Sequence, residues 1–124
     1  MSAFKRFFSG VTDTGDKVRD KRFRTRYYRA ERKKVCSELA KFFQREKDIE
    51  LVHESLERGE IMIEYRNGIG MTHDLVVTVL PVTPVQASVD MHAAVRSRFF
   101  DFGTNGKMIT RIYRFLDKQF TTVE

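Results

Sequence analysis

The sequence predicts an α+β fold with two layers, in which a four-stranded antiparallel meander is flanked by an N-terminal and a C-terminal helix packed on one face. The order of patterns along the chain is helix, four strands, helix. Short turns join the strands, and such turns connect antiparallel but not parallel neighbours. Each predicted helix and the last strand has a single apolar face, so both helices are expected on one side of the sheet. A chain of 124 residues is expected to form one such domain.

Positive charge is concentrated at the start of the chain. Positions 1–34 carry twelve of the 23 Lys and Arg residues beside four acids, whereas positions 35–124 carry eleven beside thirteen acids. We therefore divide the chain into a basic N-terminal arm, 1–28, and a single α+β domain, 29–124. Within the arm, 17–28 alternates arginine with other residues, which indicates either an extended segment or the first turns of a longer helix.

A helical period follows the arm over 29–46. Its apolar side is formed by Val35, Cys36, Leu39, Phe42 and Phe43. Cys36 is the only cysteine, so the chain cannot form an internal disulfide. We predict that this thiol is a small buried hydrophobe in a protein of a reducing compartment.

Three strands are predicted after this helix, at 49–56, 61–66 and 74–80. The third of them is the most apolar. Pro81 and Pro84 then turn the chain. Because proline cannot donate a ladder hydrogen bond, we place both prolines at strand ends.

The fourth strand has the clearest pattern in the chain. Over 85–96, apolar side chains alternate with polar ones, which predicts a half-buried strand beside the third. Its predicted inward residues are Val85, Ala87, Val89, Met91, Ala93 and Val95. A closing helix follows over 105–120. Its predicted buried stripe is Ile109, Ile112, Tyr113, Leu116 and Phe120.

The junction between the last strand and the last helix resembles a known family. The residues that carry the likeness are Arg96, Ser97, Arg98, Asp101, Gly103, Asn105 and Lys107. They are similar to the R-S-x-S-R, spacer and D-x-G-x-N pattern at the strand-to-helix corner of a bacterial family of small cytosolic proteins of unknown function. The spacer here is shorter, and Gly106 stands where that family usually has a basic residue. The resemblance implies a similar order of helices and strands over about 26–120, but no reaction.

The residues of this corner permit two interpretations. Gly103 allows a sharp turn, and Thr104 or Asn105 can cap the free N–H groups at the start of the helix. Alternatively, Arg98, Asp101 and Asn105 form a small polar pocket at the helix N-terminus, where an anion binds favourably. Every helix start needs partners for its N–H groups, so the capping interpretation is favoured.

No catalytic or metal-binding constellation can be assembled from the sequence. His53, His73 and His92 lack metal-ligand spacing, and no second cysteine joins Cys36. No nucleophile with an adjacent base is evident either. The sequence therefore predicts a non-enzymatic binding or interaction module without a cofactor.

The arm contains the main candidates for binding. They are Arg22, Arg24, Arg26 and Arg29. Aromatic residues stand between these arginines, and binding of single-stranded nucleic acid uses this combination of charge and stacking surface. One hypothesis is therefore binding of nucleic acid, or of an anionic membrane surface, through 17–34. The membrane version would insert Phe4, Phe7 and Phe8.

A structural role for the same arginines is the alternative hypothesis. They would then pair with acids of the first two predicted strands, namely Glu50, Glu54, Glu57, Glu60 and Glu64. Four further basic residues recur along one face of the last helix, and this spacing is typical of a solvated face. They are Lys107, Arg111, Arg114 and Lys118.

Two further expectations concern partners and location. A meander leaves two edge strands unpaired, so a homodimer through an edge or through the open sheet face is one hypothesis. No apolar run approaches the roughly 20 residues of a membrane span, and no signal peptide is recognised. A cytoplasmic protein is therefore expected.

Overall fold

The computed structural model describes residues 11–96 and 103–123. Two α-helices and seven strands occur in these ranges. The strands are β1 (Val11–Asp13), β2 (Arg26–Tyr28), β3 (Glu50–Ser55), β4 (Glu60–Arg66), β5 (Thr72–Thr83), β6 (Gln86–Val95) and β7 (Thr122–Val123). The helices are α1 (Arg32–Arg45) and α2 (Thr104–Gln119), and a single 3-10 turn covers Lys21–Phe23.

The strands form one seven-stranded antiparallel sheet. Its order is β3-β4-β5-β6-β2-β7, and β1 pairs with a separate stretch of β6. The predicted α+β class and the antiparallel pairing are confirmed. The predicted number of four strands is wrong. β1 and β7 have only three and two residues, which is too short for alternation to show in the sequence, and β2 lies in the arm segment for which the sequence allows either an extended or a helical conformation.

The hydrophobic core lies between the two helices and one face of the sheet. Antiparallel register aligns the inward side chains across strands, so Ile63 faces Leu75 and Leu75 faces Ala93. The helices contribute the residues opposite. Val35, Cys36, Leu39, Phe43, Ile109, Ile112 and Leu116 are completely buried there. Both helices belong to the same core cluster, which is the predicted packing on one face.

The basic arm supplies part of the sheet. Residues 26–28 are a strand and Lys21–Phe23 are a 3-10 turn, so the extended interpretation of 17–28 is confirmed for 26–28 alone. The segment is not the first part of α1, which begins only at Arg32. Thr14 and Thr25 both donate to the carboxylate of Asp90 in β6, at 2.7 and 2.6 Å. These bonds attach the segments of β1 and β2 to the central strand.

The prediction that Cys36 is buried is confirmed, and the prediction that Phe120 belongs to the buried stripe of the last helix is wrong. Cys36 is completely buried, and burial raises the pKa of its thiol. Phe120 follows α2 as its C-cap and is only partly buried. Its ring packs edge-on against Tyr28, with centroids 6.3 Å apart.

The turn between β5 and β6 differs from the prediction. Val85 is predicted to point inward, but it is 67% exposed and lies just before β6. Pro81 is predicted at a strand end, but β5 continues through it to Thr83. The strand tolerates this proline because β4 pairs with β5 only as far as Thr78, so β6 is the one described strand that pairs with β5 at Pro81.

The observed strand register predicts that the same substitution has a large effect on stability at one position and a small effect at another. Met91→Asp places a carboxylate at a position that is 2% exposed, and we expect the free energy of unfolding to fall by about 4–5 kcal/mol or more. Val85→Asp changes an exposed turn and should cost less than about 0.5 kcal/mol. Urea denaturation followed by circular dichroism measures both. Equal destabilisation by the two variants would contradict the register.

Candidate functional site

Two arginines of the arm are occupied by contacts within the arm itself. Arg22 donates to the carboxylate of Asp20 with its side chain, at 2.7 Å. Arg24 donates to the backbone carbonyls of Val18 and Arg19 at 3.0 and 3.4 Å. These bonds stabilise the 3-10 turn of the arm, so both side chains have a structural role.

The next two arginines lie near the C-terminal half of α2. Arg26 pairs with Asp117 at 2.5 Å, and its guanidinium lies over the ring of Tyr113. Arg29 is exposed, and its backbone N–H donates to the carbonyl of Thr121 at 2.8 Å. The acids that pair with the arm are therefore Asp20 and Asp117. The expectation that the glutamates of the first predicted strands pair with these four arginines is wrong.

The strand-to-helix corner is described only in part. Arg98 and Asp101 lie outside the described residues, as does the Phe-containing start at 1–10. Gly103 is the N-cap of α2, with a φ of 79° that favours glycine. The sharp turn expected at Gly103 is therefore present, whereas the side chain of Asn105, one of the two expected caps, is engaged elsewhere.

Asn105 instead belongs to a buried polar network. Its side-chain oxygen accepts from the Tyr65 hydroxyl at 2.8 Å and from the Nδ1–H of His73 at 2.7 Å. Its side-chain nitrogen donates to the carbonyl of Ala93 at 3.3 Å. The other ring nitrogen of His73 lies 3.2 Å from the amide nitrogen of Asn67, which suits the tautomer with its proton on Nδ1.

This network fastens one end of α2 to the sheet. Asn67 also accepts the backbone N–H groups of Ile69 and Met71, which closes the loop between β4 and β5. His73 and Asn105 are both completely buried. The network therefore stabilises the fold, and Asn105 has a structural role in it.

Replacing Asn105 at the centre of this network should lower the free energy of unfolding more than removing the hydroxyl of Tyr65 at its edge. Asn105→Leu leaves the Nδ1–H of His73 and the Tyr65 hydroxyl without their acceptor, and we expect a loss of about 2–4 kcal/mol. Tyr65→Phe removes one donor and keeps the ring stacked on His73, so a loss of about 1 kcal/mol is expected. Urea denaturation compares the two. A smaller loss for Asn105→Leu than for Tyr65→Phe would contradict the network.

A cleft between α1 and α2 brings basic and aromatic residues together. Its volume is about 340 Å³. Phe42 of α1 and Phe115 of α2 both line it, and their rings stack with centroids 4.2 Å apart and an interplanar angle of 12°. Arg45 lies over both rings, 5.6 and 5.9 Å from the centroids. We call this feature the helix cleft.

The helix cleft carries an excess of positive charge. Arg111 pairs with Glu46 at 2.8 Å and with Asp48 at 2.7 Å, so its charge is compensated. Arg45, Arg114 and Lys118 line the same cleft, and none of the described residues forms an ion pair with them. Within the described part of the chain, three cations without carboxylate partners therefore surround an aromatic floor.

The sequence predicts the basic residues that α2 contributes to this cleft, but not the residues that α1 contributes. Arg114 and Lys118 belong to the basic stripe predicted on the last helix. Arg45 falls at the end of the first predicted helix, and no sequence pattern places it beside Phe115. The packing of the two helices creates this neighbourhood, and that packing is a tertiary feature.

The other polar groups of the described ranges are weaker candidates for a functional site than the helix cleft. His92 pairs with Asp13 on the exposed face of the sheet. A second cleft, of about 380 Å³, is lined by residues of both signs, including Lys47, Glu50, Glu64 and Arg66. Across 11–96 and 103–123, no three His, Cys, Asp or Glu side chains converge as metal ligands would. None of the helices described combines the length and the apolar content that crossing a membrane requires.

The contact between Arg111 and Asp48 makes a prediction about pH. The hydrogen bond from Arg111 lowers the pKa of the Asp48 carboxyl. A lowered pKa means that the pair stabilises the fold above the ordinary aspartate value of about 3.9, and that this stabilisation is lost as the pH falls through the lowered value. Arg111→Gln should therefore raise the pKa of Asp48 towards the ordinary value, as measured by NMR titration. Lys107→Gln, on the same helix, should leave it unchanged.

Comparison with known proteins gives a likeness of fold alone. No family model and no curated protein matches the chain. Among solved structures, it is similar to the crystal structure of the di-domain ARO/CYC BexL from the BE-7585A biosynthetic pathway, with a TM-score of 0.56 and 11% sequence identity. The match covers 87% of this chain and 46% of that one, so the chain spans about half of its length.

Proposed function

We propose that this protein is a non-catalytic binding module that docks an anionic ligand in the helix cleft. The observation that carries the proposal is the convergence of Arg45, Arg114 and Lys118 around the stacked rings of Phe42 and Phe115. Positively charged clefts attract anions and raise their local concentration. A volume of about 340 Å³ is at the lower end of the range typical of ligand sites.

Stabilisation of the helices explains only part of this arrangement. Arg45 and Lys118 each lie in the last turn of a helix, where a cation interacts favourably with the helix dipole. That effect does not require Arg114, which lies further from the helix end. It also does not require the three cations to line one cleft. Their mutual repulsion has a cost that a bound anion would remove.

The arm takes a smaller part in this proposal than the sequence suggests. Arg22 and Arg26 are paired, and Arg24 is bound to backbone carbonyls. Arg29 is exposed, and it lies beside Thr121, three residues beyond Lys118 along the chain. It can therefore extend the basic surface past the end of α2.

Catalysis is not part of the proposal. The structural neighbour BexL is an ARO/CYC, but at 11% identity the likeness concerns the fold. The helix cleft is lined mainly by cations and phenyl rings, and Glu46, the carboxylate in its lining, is paired with Arg111. A cytoplasmic location, a homodimer and the bacterial family resemblance remain predictions.

Charge reversal in the cleft tests the proposal with heparin as a generic polyanion. Arg114→Glu combined with Lys118→Glu should weaken heparin binding at least tenfold, because attraction is replaced by repulsion. Binding is followed by the anisotropy of labelled heparin at low salt. The control is Arg58→Glu combined with Arg66→Glu, which changes the net charge equally on residues outside the cleft.

Thermal unfolding separates a binding defect from a folding defect. Arg114 and Lys118 are exposed, and no described residue forms an ion pair with them, so their reversal should leave the melting temperature nearly unchanged. Equal loss of heparin binding in the cleft variant and in the control would show that only net charge matters. That result would overturn the helix cleft as the site.

A further inference from the structure

We infer that the anionic ligand of the helix cleft is single-stranded nucleic acid. This inference rests on the function proposed above and adds the class of ligand to it. Three features support it, namely the linear arrangement of the cations, the aromatic floor and the absence of exposed large apolar side chains on the two described helices.

The cations form a row rather than a point. Lys107, Arg114 and Lys118 follow one face of α2, and four residues of a helix advance about 6 Å along its axis. The row from Lys107 to Lys118 therefore spans about 16 Å. Arg29 lies beyond its end. A row of this length matches a chain of regularly spaced phosphates better than it matches a single compact anion.

The floor of the cleft supplies an aromatic surface beside this row. Phe115 is only partly buried, and Phe42 supports its ring from below by stacking. Arg45 lies close to the same two rings. A positively charged groove that follows the backbone, together with aromatic side chains next to it, is the combination that binds single strands without sequence preference.

The position of exposed apolar side chains disfavours a membrane surface. Among residues 11–96 and 103–123, the large hydrophobic residues that are exposed lie on strands or in turns: Val52, Leu56, Ile69, Leu80, Val82 and Val85. None of them lies on α1 or α2. Binding to a lipid surface would place apolar side chains beside the cations, where they insert between acyl chains.

The same cleft disfavours a duplex. The bases of a duplex are stacked on each other inside two backbones, so they cannot reach Phe115 while their phosphates contact the rim of the cleft. A single strand can turn its bases towards the rings. We therefore expect tighter binding of a single strand than of a duplex of the same length.

Salt dependence measures how many phosphates are contacted. Each phosphate that a cation neutralises releases counterions, and the slope for single strands is about −0.7 per contact. Contacts from Arg45, Arg114 and Lys118 would lower the affinity about 20-fold between about 50 and 200 mM salt. Removing one of them by Lys118→Gln should make the slope shallower by about 0.7.

The experiment compares four probes on the full chain. The probes are a labelled thymidine oligomer of about 12 nucleotides, the matching duplex, vesicles containing phosphatidylserine, and heparin. We expect the oligomer to bind, and to bind at least fivefold more tightly than the duplex. The variant with Arg114→Glu and Lys118→Glu should lose this binding, and the control with Arg58→Glu and Arg66→Glu should keep it.

Phe115→Leu tests the aromatic floor separately from charge. Leucine keeps an apolar side chain against Phe42 but cannot stack on a base, so oligomer binding should weaken at least fivefold while heparin binding stays unchanged. Thermal unfolding checks that this variant is folded. If it is not, Phe115→Tyr, which retains a ring, should bind the oligomer as the wild type does. Oligomer binding that is independent of Phe115, in a folded variant, would overturn the inference.

The remaining outcomes distinguish the inference from the function on which it rests. Heparin or vesicle binding that depends on the cleft, without oligomer binding, would overturn nucleic acid as the ligand and leave the anion-binding module intact. Binding of none of the four probes would overturn both. Duplex binding as tight as single-strand binding would also overturn the inference, because the bases would then take no part.

Discussion

The pairing of β6 with three other strands is the constraint on which the rest of the structure depends. β6 pairs with β5 along nearly its whole length, and on its other side with β1 and with β2. Its inward residues are almost completely buried under the helices. A shift of one residue in this strand would turn that whole set towards the opposite face. The helices, and hence the cleft between them, keep their positions only while this register holds.

Asp90 shows how the central strand also organises the charged arm. It accepts hydrogen bonds from Thr14 and Thr25, which lie on either side of the arm's turn. The arm then reaches α2, where Tyr28 and Arg26 both contact the carboxylate of Asp117. Burial and the bond to Asp117 raise the pKa of the Tyr28 hydroxyl, so it remains a neutral donor. Arg26 therefore helps to attach the arm to α2, whereas Arg22 and Arg24 bind within the arm itself.

The sequence predicts those parts of the fold whose residues repeat a pattern for several turns or strand positions. The alternation from Ala87 to Val95 and the stripe from Ile109 to Leu116 are of this kind, and both are buried as expected. Val85 continues the alternation but lies in the turn, because a pattern does not show where the pairing of two strands ends. Asn105 fits a cap or a pocket when only its neighbours in the chain are considered. Its actual partners, Tyr65 and His73, are about 30 to 40 residues away in the chain, and no local pattern indicates them.

Each of three sides of α2 contacts a different part of the molecule, and these contacts explain why the cleft is available for binding while most arginines of the arm are not. One side of the helix is buried in the core, and a second meets the arm, where Gly106 lies against Phe23 and Asp117 pairs with Arg26. A Cβ at Gly106 would lie about 3.0 Å from that phenyl ring, so the close approach of Phe23 favours glycine at this position. The third side meets α1 through Phe115, and the carboxylates described there already bind Arg111. The other cations of the cleft form no ion pair with any residue of 11–96 or 103–123, so their charge is available to the anion that we propose as the ligand.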